Sequence, residues 1–205
     1  MAKYQDYVIK DGEFIGKFEE MYREFEDPWH QSEGLDFSFS RSATIGLIKK
    51  FGIKSMVEFG CGLGHTTHLI KEKTGINIAG VDVSETAIKK AQRNYADIDF
   101  FVDNIENIAH YGAYENILFA EITWYILEDD QISRIFDSMM DNFKNNYFIH
   151  NLVFYHGQQK YGNNYFTSLD EFIEFCPFQY IGSVISDFIV DETSETSSIY
   201  KITKK

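Results

Sequence analysis

The chain has 205 residues, a formal net charge of −13, 44% apolar residues, 19 Phe and 13 Tyr, which fits one globular domain able to bury ~70% of its unfolded surface. So acidic a chain lacks the cationic footprint that nucleic acid or an anionic membrane requires, and neither is expected as a partner. Two cysteines, Cys61 and Cys176, are too few for a disulfide framework and suit a reducing, cytoplasmic setting; MAKYQDYVIKDGEF lacks the pattern of a signal peptide, and no apolar run approaches the ~20 residues of a membrane helix.

The first 50 residues carry two helical patterns, at about 12–26 and 39–51, around the loop EDPWHQSEGLDFS. From Phe51 onward, short β-branched runs alternate with helices. SMVEF (55–59) predicts a strand, and a helix follows over about 65–73, ending near Gly75. NIAGVDV (77–83) predicts a second strand. Ser84 caps the next helix, with Ala87, Ile88, Ala91 and Tyr95 on one face and Lys89, Lys90 and Arg93 opposite. IDFFV (98–102), ENILFAEI (115–122) and NYFIHNLVF (146–154) predict three more strands, with a helix over 131–143 between the last two. FQYIGSVISDFIV and SSIYKI then read as a hairpin across the polar turn DETSETS (191–197).

Strands separated by helices at this spacing predict a single α/β domain over 1–205 with helices on both faces of the sheet. The expected sheet is Rossmann-like, doubly wound, mostly parallel and seven-stranded, with an antiparallel C-terminal hairpin at its edge. Within it, 1–50 is a helical segment, 51–155 the parallel core and 156–205 a loop plus the edge hairpin; the family that the motifs below resemble implies a lid or substrate segment, a cofactor-binding core and an acceptor loop for these three parts.

The most informative stretch is VEFGCGLGHTTH, 57–68. A dinucleotide turn reads G-x-G-x-x-G and rests a phosphate on the helix N-terminus. Here Gly60, Gly62 and Gly64 alternate, His65 stands at the third-glycine position, and Glu58 precedes the first glycine by two residues. A carboxylate there opposes a pyrophosphate and favours a cationic ligand.

VEFGCGLG resembles motif I of the class I S-adenosylmethionine-dependent methyltransferases, and further resemblances follow in order over about 55–155. Asp82, ending the second strand beside Val83, matches the family acid that holds the ribose hydroxyls. Asp103 matches the acid that accepts from the adenine amino group, with Asn104 and Ile105 flanking the ring. FAEITWYILED is similar to the motif in which Glu121 and its backbone hold the methionine amino group. The resemblance implies a cofactor site of Glu58, Gly60, Cys61, Gly62, Asp82, Val83, Asp103, Asn104, Ile105 and Glu121. It also implies S-adenosylmethionine as methyl donor, with S-adenosylhomocysteine as product. That donor is net positive and carries no phosphate, which agrees with a pocket of four acids. Arg41 is either the donor to its carboxylate or a solvated helix charge. Each acid could instead cap a turn, and Cys61 has no base near it in sequence to make it a nucleophile.

Over the strand ends, three stretches are expected to cover the acceptor: 26–37, 123–127 and 154–166. DPWHQSE together with AEITWYIL resembles a narrower branch, the nodulation-protein-S-like methyltransferases, which act on amino sugars and other small polar metabolites. By that resemblance Trp29, His30 and Trp124 contact the acceptor, although Trp29 could equally anchor a loop. His156 is the candidate general base by placement and Tyr125 a second catalytic candidate, whereas His150 reads as a core histidine. His65, His68 and Glu72 share a helical face but are not expected to bind a metal.

The expected activity is therefore methyl transfer to an oxygen or nitrogen of a small polar metabolite: a sugar, an amino sugar or a nucleotide-linked glycan precursor. The rival expectation is a non-catalytic partner subunit that binds the donor or its product. Monomer and homodimer are both compatible with the sequence.

Overall fold

The computed structural model describes residues 3–32, 38–157, 159 and 161–205; the stretch 33–37 and positions 158 and 160, within two of the loops named above, lie outside it. Nine strands and six helices are described. β1 (Ile9–Lys10) and β2 (Glu13–Phe14) form a small hairpin, followed by α1 (Phe18–Glu24) and α2 (Phe39–Phe51). The core continues with β3 (Ser55–Phe59), α3 (His65–Thr74), β4 (Asn77–Asp82), α4 (Glu85–Asn94) and β5 (Asp99–Val102). A 3₁₀ segment (Ile105–Tyr114) leads to β6 (Asn116–Ala120), α5 (Gln131–Asn142), β7 (Tyr147–Tyr155), α6 (Leu169–Phe175), β8 (Phe178–Phe188) and β9 (Thr193–Lys204).

The main sheet has seven strands in the order β5-β4-β3-β6-β7-β9-β8. Pairs among β3 to β7 are parallel, and β9 runs antiparallel to both β7 and β8. Period-2 alternation sorts the side chains into two cores. Val57, Ile117, Phe119 and Phe148 pack with Ile135, Phe136 and Met139 of α5. Met56, Leu118, Ile149 and Ile199 pack with Leu47 and Ile48 of α2 and Ile70 of α3. Both faces are covered, as the apolar strand runs require.

Three expectations need correction. The first helical pattern does not begin at 12, because Asp11 and Gly12, at φ 53° and 84°, form the tight turn of β1–β2. Two positive φ values suit a two-residue hairpin, and Asp-Gly supplies them; α1 starts only at Phe18. The C-terminal turn is also shorter than DETSETS. Strand β8 runs to Phe188 and β9 starts at Thr193, so most of that polar stretch is a central strand. There Thr196 donates to the Leu152 carbonyl at 3.0 Å, Ser197 to that of Ser40 at 3.1 Å and Ser198 to that of His150 at 3.2 Å.

The third concerns α4. Ala87, Ile88 and Ala91 are buried as expected, but Lys90 is buried as well. Helix α1 lies over the end of that basic face, and the Lys90 ammonium donates to the carbonyls of Tyr22, Phe25 and Glu26.

Candidate functional site

Sheet order reverses at β3, whose neighbours are β4 on one side and β6 on the other. A parallel sheet opens a crevice at its carboxyl edge at such a point. Register decides what lines it. Phe59 lies opposite Val81 and Phe119, so Gly60, Asp82 and Ala120 follow in line. Asp82 lies opposite Val102, so Val83 and Asp103 follow next. These residues, with Glu121, line one cavity of about 720 Å³, within the ordinary range for small-ligand sites.

The glycine turn cannot accept side chains. Gly60 has φ 73°, and a Cβ on it would lie 2.0 Å from the Ile122 Cγ2. Gly62 has φ 53°, and a Cβ there would meet the Tyr22 hydroxyl at 2.5 Å and the Gln31 Oε1 at 2.8 Å. The turn is thus pressed between the β6 end and the N-terminal segment. Its Leu63 amide donates to the Gln31 Oε1 at 3.2 Å.

Four carboxylates reach the cavity wall, each in a different state. Asp82 is buried; it accepts from the Gly62 and Ser84 amides, both at 2.9 Å. Burial raises its pKa against the pull of these amides, and two bonds leave acceptor capacity for donors arriving from the cavity. Asp103 accepts from the Asn104 amide at 2.8 Å, Asn107 at 2.6 Å and Tyr111 at 3.0 Å. Desolvation would lift its pKa, but these donors and His110 hold it below the usual carboxylate range.

Glu58 alternates onto the α2–α3 face, where the Thr67 hydroxyl donates to it at 2.5 Å. Burial pushes its pKa up to about 7 despite Thr67 and the Arg41 charge. Glu121 stands in the left-handed region at φ 64°. It is accessible from the cavity yet enclosed by protein, and desolvation together with Glu195 raises its pKa against Arg41. Arg41 lines the same wall, its Nε donating to Thr66 at 3.0 Å.

Aromatic rings roof the crevice. Tyr125 stacks on Phe14 at 6.2 Å, meets Phe18 edge-on at 5.3 Å and leans on Trp29 at 6.1 Å. Trp29 in turn packs against Tyr4 at 5.2 Å. Trp124 reaches the wall from below, packed on Phe166 at 5.2 Å.

Of the residues predicted from sequence, the cavity brings together Trp29, Arg41, Glu58, Gly60, Asp82, Val83, Asp103, Asn104, Ile105, Glu121, Trp124 and Tyr125. Four lie elsewhere. The Cys61 side chain packs with Ile88, Ala91 and Phe100, and burial raises its thiol pKa far above normal. Gly62 turns toward Tyr22 and Gln31, behind the wall. His30 is exposed beside Tyr4.

His156, expected over the acceptor, is bound into the edge hairpin. Its amide donates to the Glu192 carbonyl at 2.8 Å and its Nε2 lies 2.6 Å from the Ser194 Oγ, which donates to Asp187. Strand β7 extends one residue beyond its predicted end, to Tyr155, and carries His156 toward the hairpin. His65 and His68 both face Tyr95. Among the described residues, no group of three or more His, Cys, Asp and Glu is arranged to hold a metal, and no helix is long and apolar enough to cross a membrane.

Several wall residues had no sequence signal: Tyr4, Tyr22, Gln31, Asn151 and Tyr155. A tyrosine in an aromatic-rich segment looks like core until its neighbours are known. Gln31 and Tyr155 nevertheless stood within stretches expected to cover the acceptor, 26–37 and 154–166, and Tyr4 and Tyr22 within the expected N-terminal lid segment.

Residues 56–146 match a family model described as "Methyltransferase domain". Comparison with curated proteins gave no match. Among solved structures, the chain resembles the N-methyltransferase NodS from Bradyrhizobium japonicum WM9 in complex with S-adenosyl-L-homocysteine. The TM-score is 0.65 at 14% identity, over 86% of this chain and 92% of that one. It also resembles the methyltransferase domain of bacterial CtHen1, with TM-score 0.61, 13% identity and coverage of 84% and 98%. A third likeness is to geranyl diphosphate C-methyltransferase from Streptomyces coelicolor A3(2), solved with Mg²⁺, geranyl diphosphate and S-adenosyl-L-homocysteine. Its TM-score is 0.57 at 12% identity, over 79% of each chain. At such identities these likenesses establish the fold.

Proposed function

We propose that this chain, whose residues 56–146 match a methyltransferase-domain model, is a class I S-adenosylmethionine-dependent methyltransferase and transfers a methyl group to an oxygen or nitrogen of a small polar metabolite such as a sugar, an amino sugar or a nucleotide-linked glycan precursor. The carrying observation is strand register: the Gly60 turn, Asp82, Asp103 and the β6 end open into the same cavity.

The wall suits the donor chemically. Asp82 retains acceptor capacity for the two ribose hydroxyls, since a carboxylate only accepts and both hydroxyls donate. Three hydrogen bonds already made by Asp103 leave about one further acceptor direction for an adenine amino group, with Asn104 and Ile105 beside the ring and Val83 at the ribose. Gly60 leaves backbone clear for the amino-acid end, and Arg41 is the basic side chain on the wall that meets its carboxylate. When bound, S-adenosylmethionine supplies a methyl group activated by its sulfonium; the chain's task is to place an acceptor in line and exclude water. The aromatic roof of Phe14, Phe18, Trp29 and Tyr125 serves that exclusion. Two buried free cysteines suit a cytoplasmic setting.

Calorimetric titration with S-adenosylhomocysteine tests the site. Wild type is expected to bind, and Asp82→Asn to bind roughly 10–100-fold more weakly, the loss of a hydrogen bond to a charged group. Equal affinity in the two proteins removes Asp82 from the ribose. Binding without methyl transfer to any small acceptor, in an assay with labelled donor, converts the reading to a non-catalytic partner subunit.

A further inference from the structure

Glu121 stands apart from the other wall carboxylates. Glu58 receives Thr67, Asp82 receives two amides and Asp103 receives three donors. Among the described residues, the Glu121 carboxylate has no hydrogen-bond or ion-pair partner. Its left-handed backbone (φ 64°) is uncommon for glutamate and is held in place by its amide, which donates to the Asn151 carbonyl at 3.0 Å. Strain of this kind persists where surrounding structure enforces it, often at functional positions. The carboxylate is exposed on the cavity wall and so is available to a cation or a strong donor bound there.

Its neighbours say which. The Tyr125 and Tyr155 hydroxyls both feel the Glu121 charge, and Tyr4 lies near both. Behind it Glu195 adds a second negative charge. Among the described residues, the wall carries no lysine and no histidine, and Arg41 is its one basic side chain. A phosphate or carboxylate on the acceptor would face two acids with little to offset them. An ammonium would meet a carboxylate, tyrosine hydroxyls and aromatic faces, all of which favour it.

Resting on the function proposed above, we infer that the methyl acceptor is an amine, held as an ammonium by the Glu121 carboxylate among Tyr4, Tyr125 and Tyr155, and that Glu121 takes its proton. The Glu121 backbone then serves the donor's amino-acid end while the side chain serves the acceptor. The ammonium N–H bond breaks and its proton passes to Glu121. The freed nitrogen lone pair forms the new C–N bond as the carbon–sulfur bond breaks and its electron pair returns to sulfur. The products are a methylated ammonium and neutral S-adenosylhomocysteine, and the proton leaves Glu121 for solvent. A carboxylate whose pKa is raised by desolvation and by Glu195 suits this exchange.

Matched acceptors that differ only in amine against hydroxyl, with sugar phosphates added, test the inference in a labelled-donor assay on wild type, Glu121→Gln and Tyr155→Phe. Calorimetry with S-adenosylhomocysteine accompanies each variant. Amines are expected to turn over at least ~100-fold faster than their hydroxyl counterparts, and Glu121→Gln to lower kcat/KM for the amine by roughly 100-fold. Its affinity for S-adenosylhomocysteine should stay within about threefold of wild type, which also reports an intact fold. Tyr155→Phe should raise the amine KM severalfold with little change in kcat. A hydroxyl or phosphate-bearing acceptor methylated as fast as the amine overturns the inference. So does a Glu121→Gln protein that loses S-adenosylhomocysteine affinity but keeps its amine kcat/KM at saturating donor, because the carboxylate then belongs to the donor. Wild type that binds S-adenosylhomocysteine yet methylates no amine rejects the acceptor class alone, whereas wild type that binds none rejects the proposed function itself.

Discussion

The Lys90 ammonium in α4 donates to the Tyr22 carbonyl of α1 at 3.1 Å, and reaches the Phe25 carbonyl at 3.1 Å and the Glu26 carboxylate at 3.1 Å. A helix of 7 residues leaves its last carbonyls without intrahelical partners, and a cation there satisfies them while complementing the dipole. In return, Glu19 of α1 accepts from the Ser84 hydroxyl at 2.6 Å, the Thr86 amide at 3.1 Å and the Thr86 hydroxyl at 2.7 Å, at the start of α4. Each helix caps the other. Phe18 and Tyr22, both on the cavity wall, are held in place by this exchange.

Lys90→Met keeps the buried stem but leaves those carbonyls unpaired, which costs about 1–3 kcal/mol. A lower urea midpoint with an unchanged m-value is expected, together with weaker S-adenosylhomocysteine binding as Tyr22 loosens. A midpoint equal to wild type removes the cap.

Gly60→Ala places a methyl 2.0 Å from the Ile122 Cγ2 on a backbone at φ 73°. Ligand binding is expected to be lost or the protein strongly destabilised. Adding Ile122→Ala makes room but leaves the left-handed strain of about 1–2 kcal/mol, so the double variant should recover only in part. Full recovery would show that crowding alone excludes a side chain, and unaltered binding by the single variant would contradict the turn geometry.

Glu58 gives a pH signature. Its folded pKa of about 7 lies above the unassociated value of 4.5, so between these pH values the folded state binds more protons than the unfolded state. The contribution is fully present below about 4.5 and declines as pH rises through 7, by about 3 kcal/mol in total at ~1.4 kcal/mol per unit. Glu58→Gln should therefore gain stability relative to wild type as pH rises from 4 to 8, measured by chemical denaturation. Parallel curves for the two proteins would show that Glu58 titrates normally in the fold.

His156→Ala removes a hydrogen bond to Ser194 at 2.6 Å and should cost about 0.5–1.5 kcal/mol of stability. Turnover at saturating donor and acceptor should stay within about twofold of wild type, since the ring lies outside the cavity. A loss of roughly 100-fold would return it to the role of general base.

Local rules carried much of this protein. The short apolar runs SMVEF and NIAGVD, the Ser84 cap and the left-handed glycine after α3 each depend on residues a few positions apart, so strand and helix limits were legible to within a few residues. The family resemblance grouped the Gly60 turn, Asp82, Asp103 and Glu121, and strand ends in a parallel sheet share one edge, which is the physical reason such a grouping can hold. Partners distant in the chain were not legible. Lys90 sits beside Lys89 on the same helical wheel, and only the docking of α1 separates a capped ammonium from a solvated one. The hydroxyl-rich run from Thr193 to Ser197 looks like a turn because short polar side chains favour turns; flanked by β7 and β8, the Thr196 and Ser197 hydroxyls meet carbonyls instead. His156 likewise leaves the crevice because β7 runs on to Tyr155 and the hairpin lies within its reach. Periodicity along a chain encodes which side of an element is apolar, but not which element will cover it, and the identity of that neighbour settles whether a charge, a hydroxyl or an imidazole is buried, bonded or free to act.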